Sequence, residues 1–330
     1  MREAMEHNSP LSHTVNVEFD GLSSLFTLEK VTGVSGMSWK LCTGRGLTNA
    51  KPRFQMDGTD YAAANDSNPW EGGDGASHTE DVDMYGFIFV PYDNGQYSLH
   101  TNWAQAKNLI GFNGTELQNF QTAYGTYLQD LSDGSVDAQN AVNLELATPR
   151  FRNVGDMEMF TALFKADGIG DGINDFLDDT QFFLSWAQTK TDPAAGQTML
   201  GSTESETGSS TWLGVNMPCP LTENGRVGFE WNKGSKYWRS VTYAEDTMIG
   251  SKIATRGTAI EMYYTKPINN ALSFNLRYTQ IDYDYTGSNS FFGAEGTPYD
   301  LNNAAVVQQL QQGGQDPVTE ATNLRASISY

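Results

Sequence analysis

Thr322-Asn323-Leu324-Arg325-Ala326-Ser327-Ile328-Ser329-Tyr330 closes the chain, and its alternation decides how the rest is read. Counted back from the terminus, Tyr330, Ile328, Ala326 and Leu324 share one face of an extended strand. Ser329, Ser327, Arg325 and Asn323 share the other, because strand side chains alternate with period two. One apolar row, one polar row and an aromatic end suit the closing strand of a transmembrane β-barrel. They also suit a terminal strand of a soluble β-sandwich, so the remaining sequence has to choose between them.

The same alternation recurs upstream. Val15, Val17 and Phe19 oppose Asn16, Glu18 and Asp20, and Asp20-Gly21 then predicts a turn into a second strand around Phe26 and Leu28. Met37, Trp39 and Leu41 mark a third strand, with Lys40 and Cys42 on its opposite face. Val82–Pro91 and Gln96–Ala106 form a hairpin through the Asn94-Gly95 turn. Further strands are predicted over Phe151–Ala166, Thr180–Gln188, Thr211–Met217, Arg226–Asn232, Gly257–Thr265 and Leu272–Thr286. With the closing strand, the pattern predicts about twelve.

Composition points the same way. Aromatic residues are 12% of the 330, while charged residues are only 18%, below the roughly 25% of an ordinary soluble domain. A mean hydropathy of -0.47 fits apolar residues dispersed in alternation. The most apolar run, Tyr85 to Tyr92, is far short of the roughly 20 residues a spanning helix needs. A net charge of -20 makes nucleic acid an improbable partner.

Connection lengths give an independent test. Working back from Tyr330, every second connection is short: Lys266–Ala271, Pro218–Gly225, Asp167–Asp179, Tyr92–Gly95 and Thr32–Gly36. The intervening set is long: Gly287–Ala321, Lys233–Arg256, Thr189–Ser210, Lys107–Arg150 and Gly46–Asp81. The predicted Asp20–Ser23 turn is the single exception, and the alternating Val142/Leu144/Leu146 must belong to a loop. Bacterial barrels segregate short periplasmic turns from long extracellular loops in this way, and a soluble sandwich has no reason to. The expected fold is therefore all-β: an antiparallel transmembrane β-barrel of about twelve visible strands, with short helices in its long extracellular loops.

Several segments resemble an uncharacterised family of Gram-negative outer-membrane porin-like proteins. They are His13–Gly21, Leu28–Met37, Gly44–Ala50, Asp167–Asp179 and the run from Tyr237 through Gly257. The resemblance implies an outer-membrane location, lipid and small hydrophilic solutes as partners, and delivery by barrel-assembly machinery through the strand ending in Tyr330. It also implies longer chains with a leader and further upstream strands. Met1–His7 shows no apolar leader core, so residues 1–13 are expected to be a polar remnant ahead of a 14–330 barrel, itself part of a larger one.

Lys40, His100, Glu230, Glu261, Arg277 and Arg325 fall on predicted inward faces. Charge on a barrel's inner face is inexpensive only beside water, so these six are expected to line a pore. A filled, salt-bridged interior is the alternative. His100 beside Ser98 on one strand is a poor hydrolase site, and no enzyme is expected. The expected function is passive diffusion of small hydrophilic solutes. The alternative is a non-conducting barrel that serves as an adhesin or ligand scaffold through its loops.

In the acidic turn, Asp167, Asp171, Asp175 and Asp178 take positions of a calcium loop. Ile169 and a terminal Asp in place of Glu break the pattern, which favours a solvated turn with structural calcium as the alternative. No other cofactor is implied. Leu117, Phe120, Tyr124, Leu128 and Leu131 predict an amphipathic helix capped by Thr115. Its apolar stripe needs burial, which suggests a gate packed in the lumen or over the mouth. Cys42 and Cys219 fall at opposite ends of the predicted barrel, so both are expected to be free thiols.

Overall fold

A computed structural model describes residues 13–16, 20–46, 55–56, 59–60, 82–134, 137–147, 149, 151–170, 172–242 and 250–329. Eleven strands form one antiparallel sheet whose spatial order is the chain order. They are β1 (Asp20–Thr27), β2 (Ser38–Gly46), β3 (Val82–Asp93), β4 (Tyr97–Phe112), β5 (Phe151–Asp167) and β6 (Gln181–Pro193). The meander continues through β7 (Thr207–Pro218), β8 (Arg226–Gly234), β9 (Gly257–Pro267), β10 (Ser273–Tyr283) and β11 (Glu320–Ser329).

The alternation read from the sequence sets the register. On one face, Ile328 pairs with Phe274, Leu324 with Tyr278, Tyr278 with Met262 and Met262 with Phe229. The row continues through Leu213, Leu184, Phe164 and Leu99 to Phe87 and Leu41. These side chains are apolar and largely exposed, up to 69% for Leu324. An exposed apolar belt this long marks an interaction surface.

The core lies on the opposite face. Leu163, Phe183, Trp212 and Tyr263 close around Ile253, which enters from the 235–256 connection. A second cluster joins Ala104, Ala106, Met157 and Met159 to Met199, Val241 and Phe292 from other connections. The long connections, 47–81, 113–150, 194–206, 235–256 and 284–319, all leave from one end of the sheet. The other end carries 28–37, 94–96, 168–180, 219–225 and 268–272.

One expectation changes. Among the described residues the sheet has eleven strands and not twelve: Val15–Asn16 is not in it, Asp20 begins β1, and residues 17–19 of the expected Thr14–Asp20 strand lie outside the described residues. His13 and Thr14 are buried on the inner face, and Val15–Asn16 pairs in parallel with Val241–Thr242 of an inward-folded connection. Alternation alone cannot tell a sheet partner from a loop partner. The expected Asp20–Ser23 turn lies inside β1, so the one exception to the segregation of connections disappears. Closure of the sheet into a barrel is not seen among the described residues. β1 and β11 are the sheet edges and are not paired with each other among the described residues. With every neighbouring pair antiparallel and eleven strands in all, these two edges run in the same direction.

Three helices sit in the long connections: α1 (Gly114–Asp133), α2 (Ala138–Leu146) and α3 (Ala304–Gln312). Val142/Leu144/Leu146 are therefore helical and do not form a strand. At the short end Gly95, at φ 90°, completes the Asn-Gly turn, and the Asn94 side chain accepts from the Gln96 and Tyr97 amides.

Candidate functional site

The inner wall is organised by a lysine that the wall itself does not supply. Lys252 belongs to the connection between β8 and β9, yet its ammonium reaches Glu230 Oε2 at 2.7 Å and Glu261 Oε1 at 2.5 Å. Both carboxylates stand near the middle of their strands, and Glu230 pairs directly with Glu261 across the ladder. Two adjacent carboxylates need positive charge between them, and Lys252 supplies it while only 2% exposed. Arg277 of β10 adds its guanidinium to Glu261 at 2.5 Å. Trp212 Nε1 donates to Glu230 at 2.9 Å, and the Thr279 hydroxyl to Glu261 at 2.7 Å. The cluster holds two positive and two negative charges, so it is buried without net charge.

His13 makes a second anchor. Its Nδ1 lies 3.0 Å from Ser185 Oγ of β6 and its Nε2 lies 2.9 Å from Ser210 Oγ of β7. Its ring packs edge-on against Trp212 and Trp238, and Trp238 Nε1 donates to Ile253 O. The two segments that occupy the inner face thus hold each other as well as the wall.

The register places all six expected inner residues on this face. Glu230, Glu261 and Arg277 meet through Lys252. Arg325 pairs with Arg277 but is exposed at the β11 edge, His100 pairs with Leu163, and Lys40 pairs with Ile88. The last two are only half-buried, while Ala104 and Ala106, further along the same side of β4, belong to the packed core.

The expected helix forms. It is present as α1, capped by Asn113 where Thr115 was expected, but it packs on α2 and on the turn at Ala294–Gly296. Phe120 is buried and stacks on Tyr124, while Leu128 and Leu131 remain 45% and 47% exposed. On the buried face of the sheet, Ile253 and Lys252 of the connection between β8 and β9 are packed instead.

In the acidic turn, Asp167 accepts from the Gln181 side chain, and Asp175 and Asp178 bound a helical turn capped by Asn174. Asp171 lies outside the described residues. Among the described residues no group of three His, Cys, Asp or Glu is placed to hold a metal. Cys42 and Cys219 are both free, as expected. A hydrogen bond from Thr222 draws the Cys219 thiol below its ordinary pKa.

A comparison with protein families matches residues 1–330 to one described as a protein of unknown function (DUF3373). The chain belongs to the DUF3373 family. No curated protein matches it.

Lys252 and His13 were missed because they sit where polar sequence reads as loop or remnant. One signal was available: Trp238 and Ile253 are costly to leave in water, and both fall inside the supposed solvated loop.

Proposed function

We propose that this DUF3373 chain is a porin-like barrel of the bacterial outer membrane, through which small hydrophilic solutes diffuse passively. One observation carries the reading. A single sheet turns an exposed apolar row outward and sets Glu230, Glu261 and Arg277 inward, with its long connections gathered at one end. Trp238, Lys252 and Ile253, from the connection between β8 and β9, narrow the passage, and solute follows the half-buried wall that carries Lys40 and His100. Lipid is the partner of the outer face, and the strand ending in Tyr330 is the segment for assembly machinery to recognise. The reading calls on no catalysis and no bound cofactor. Antiparallel closure at both seams takes an odd number of strands beyond the eleven, which gives an even total as in single-chain bacterial barrels.

The packed interior favours a second reading, a non-conducting surface barrel that works through its loops. Trp212, His13 and Lys252 are all buried where a wide pore would be wet.

The membrane assignment has a spectroscopic test. Trp39 and Trp186 are on the outer row, at 42% and 41% exposure, while Trp212 and Trp238 are sealed inside. In vesicles of brominated lipid, single-tryptophan variants retaining Trp39 or Trp186 should be quenched, and those retaining Trp212 or Trp238 should not. Equal quenching of all four would rule out this orientation of the sheet.

A further inference from the structure

With Glu230 and Glu261 neutralised, the inner face is left with cations that have no carboxylate beside them. Lys40 shares its cross-strand row with Ile88, Asn102 and Thr161, and Thr161 is fully buried on that face. Lys165 pairs with Ser98 on one side and with the core residue Phe183 on the other, two residues along β5 from Leu163. His100, paired with Leu163, lies within reach of the Lys165 charge. All three are half-buried and stand in the half of their strands nearer the short connections. No carboxylate forms an ion pair with Lys40 or Lys165 among the described residues. Arg226, which opens β8 on the same face, donates to neutral oxygens, Asn216 Oδ1 at 2.6 Å and Asp179 O at 2.7 Å.

The carboxylates that share this face in the described strands are Glu230, Glu261, Asp93 and Asp167. Lys252 and Arg277 balance the first two. The other two end their strands at the short-connection rim, where Asp93 accepts from the Gly95 amide and Asp167 from the Gln181 side chain. Inside that rim the wall is positive, although the whole chain carries a charge of -20. Asp83, Glu158, Asp192 and Asp282 add to that total from the outer face.

We propose, resting on the channel reading above, that the passage selects small anions over cations and that Lys40 and Lys165 set the preference. An ammonium without a counter-charge is costly to bury, so half-buried lysines of this kind keep their charge in contact with water. Lysine and arginine lining a narrow passage favour anions through their summed field. No single ion therefore has to touch both lysines.

The test is the reversal potential of the full chain in a planar bilayer between unequal potassium chloride solutions. Chloride should permeate about tenfold more readily than potassium, the low end of what a cleft of one sign achieves. Lys40→Gln and Lys165→Gln should each lower that ratio, and Lys40→Glu combined with Lys165→Glu should bring it below one. Lys190→Gln, on the exposed outer face of β6, should leave it unchanged. Channels that prefer potassium or neither ion, or a ratio indifferent to both lysines, would overturn the anion assignment and leave the channel reading standing. Absence of any conductance would remove both.

Discussion

Replacing Lys252 with methionine should destabilise the folded protein by about 3–5 kcal/mol, the usual cost of leaving a buried partner charge uncompensated. Methionine keeps most of the volume, so the loss reports charge more than packing. Glu230 and Glu261 would then face each other with only Arg277 to offset them, at 3% exposure or less. The double variant Lys252→Met, Glu230→Gln restores neutrality and should recover part of the loss. Breaking the exposed Arg45–Asp83 pair, by contrast, should cost no more than about 1 kcal/mol. Denaturant midpoints in detergent measure all three. A Lys252→Met loss below that of the exposed pair would remove Lys252 from its place as the anchor.

The outer face should be as intolerant of charge as the inner cluster is dependent on it. Met262 lies midway along β9, paired with Phe229 and Tyr278 on the apolar row, and is 52% exposed. In water an arginine there would be nearly neutral. At the midplane of a bilayer it should cost about 2–4 kcal/mol, measured by folding into lipid vesicles. Arginine at Leu221, which is 89% exposed in a short turn, should change stability by no more than about 0.5 kcal/mol. Equal tolerance at both positions would return the sheet to the soluble class.

The contrast between these two faces was legible from period-two alternation, because each strand declares which residues share a side. Ile328/Ala326/Leu324 and Glu230/Glu261/Arg277 fell where the register puts them. Connection lengths were legible for the same reason, since strands of similar length leave the remainder to loops. The content of the interior was not legible. A β-strand's partner is set by distant sequence, so Val15–Asn16 looked like wall and lies against Val241–Thr242 instead. Lys252 carried no local mark of burial. Its position is fixed by two carboxylates that meet only when β8 and β9 pair. The helix was found correctly as an element, but an apolar stripe says only that burial is favourable, and Phe120 alone of this stripe is fully buried.

Single-channel current in a planar bilayer tests the account most directly. The wild-type chain is compared with one in which residues 236–250 are replaced by a short Gly-Ser link, and with one lacking Thr115–Leu131. Small steps are expected from the wild type and from the helix deletion, and clearly larger steps from the shortened connection. Silence from all three, or larger steps only when the helix is removed, would contradict a lumen narrowed by the segment that Lys252 anchors.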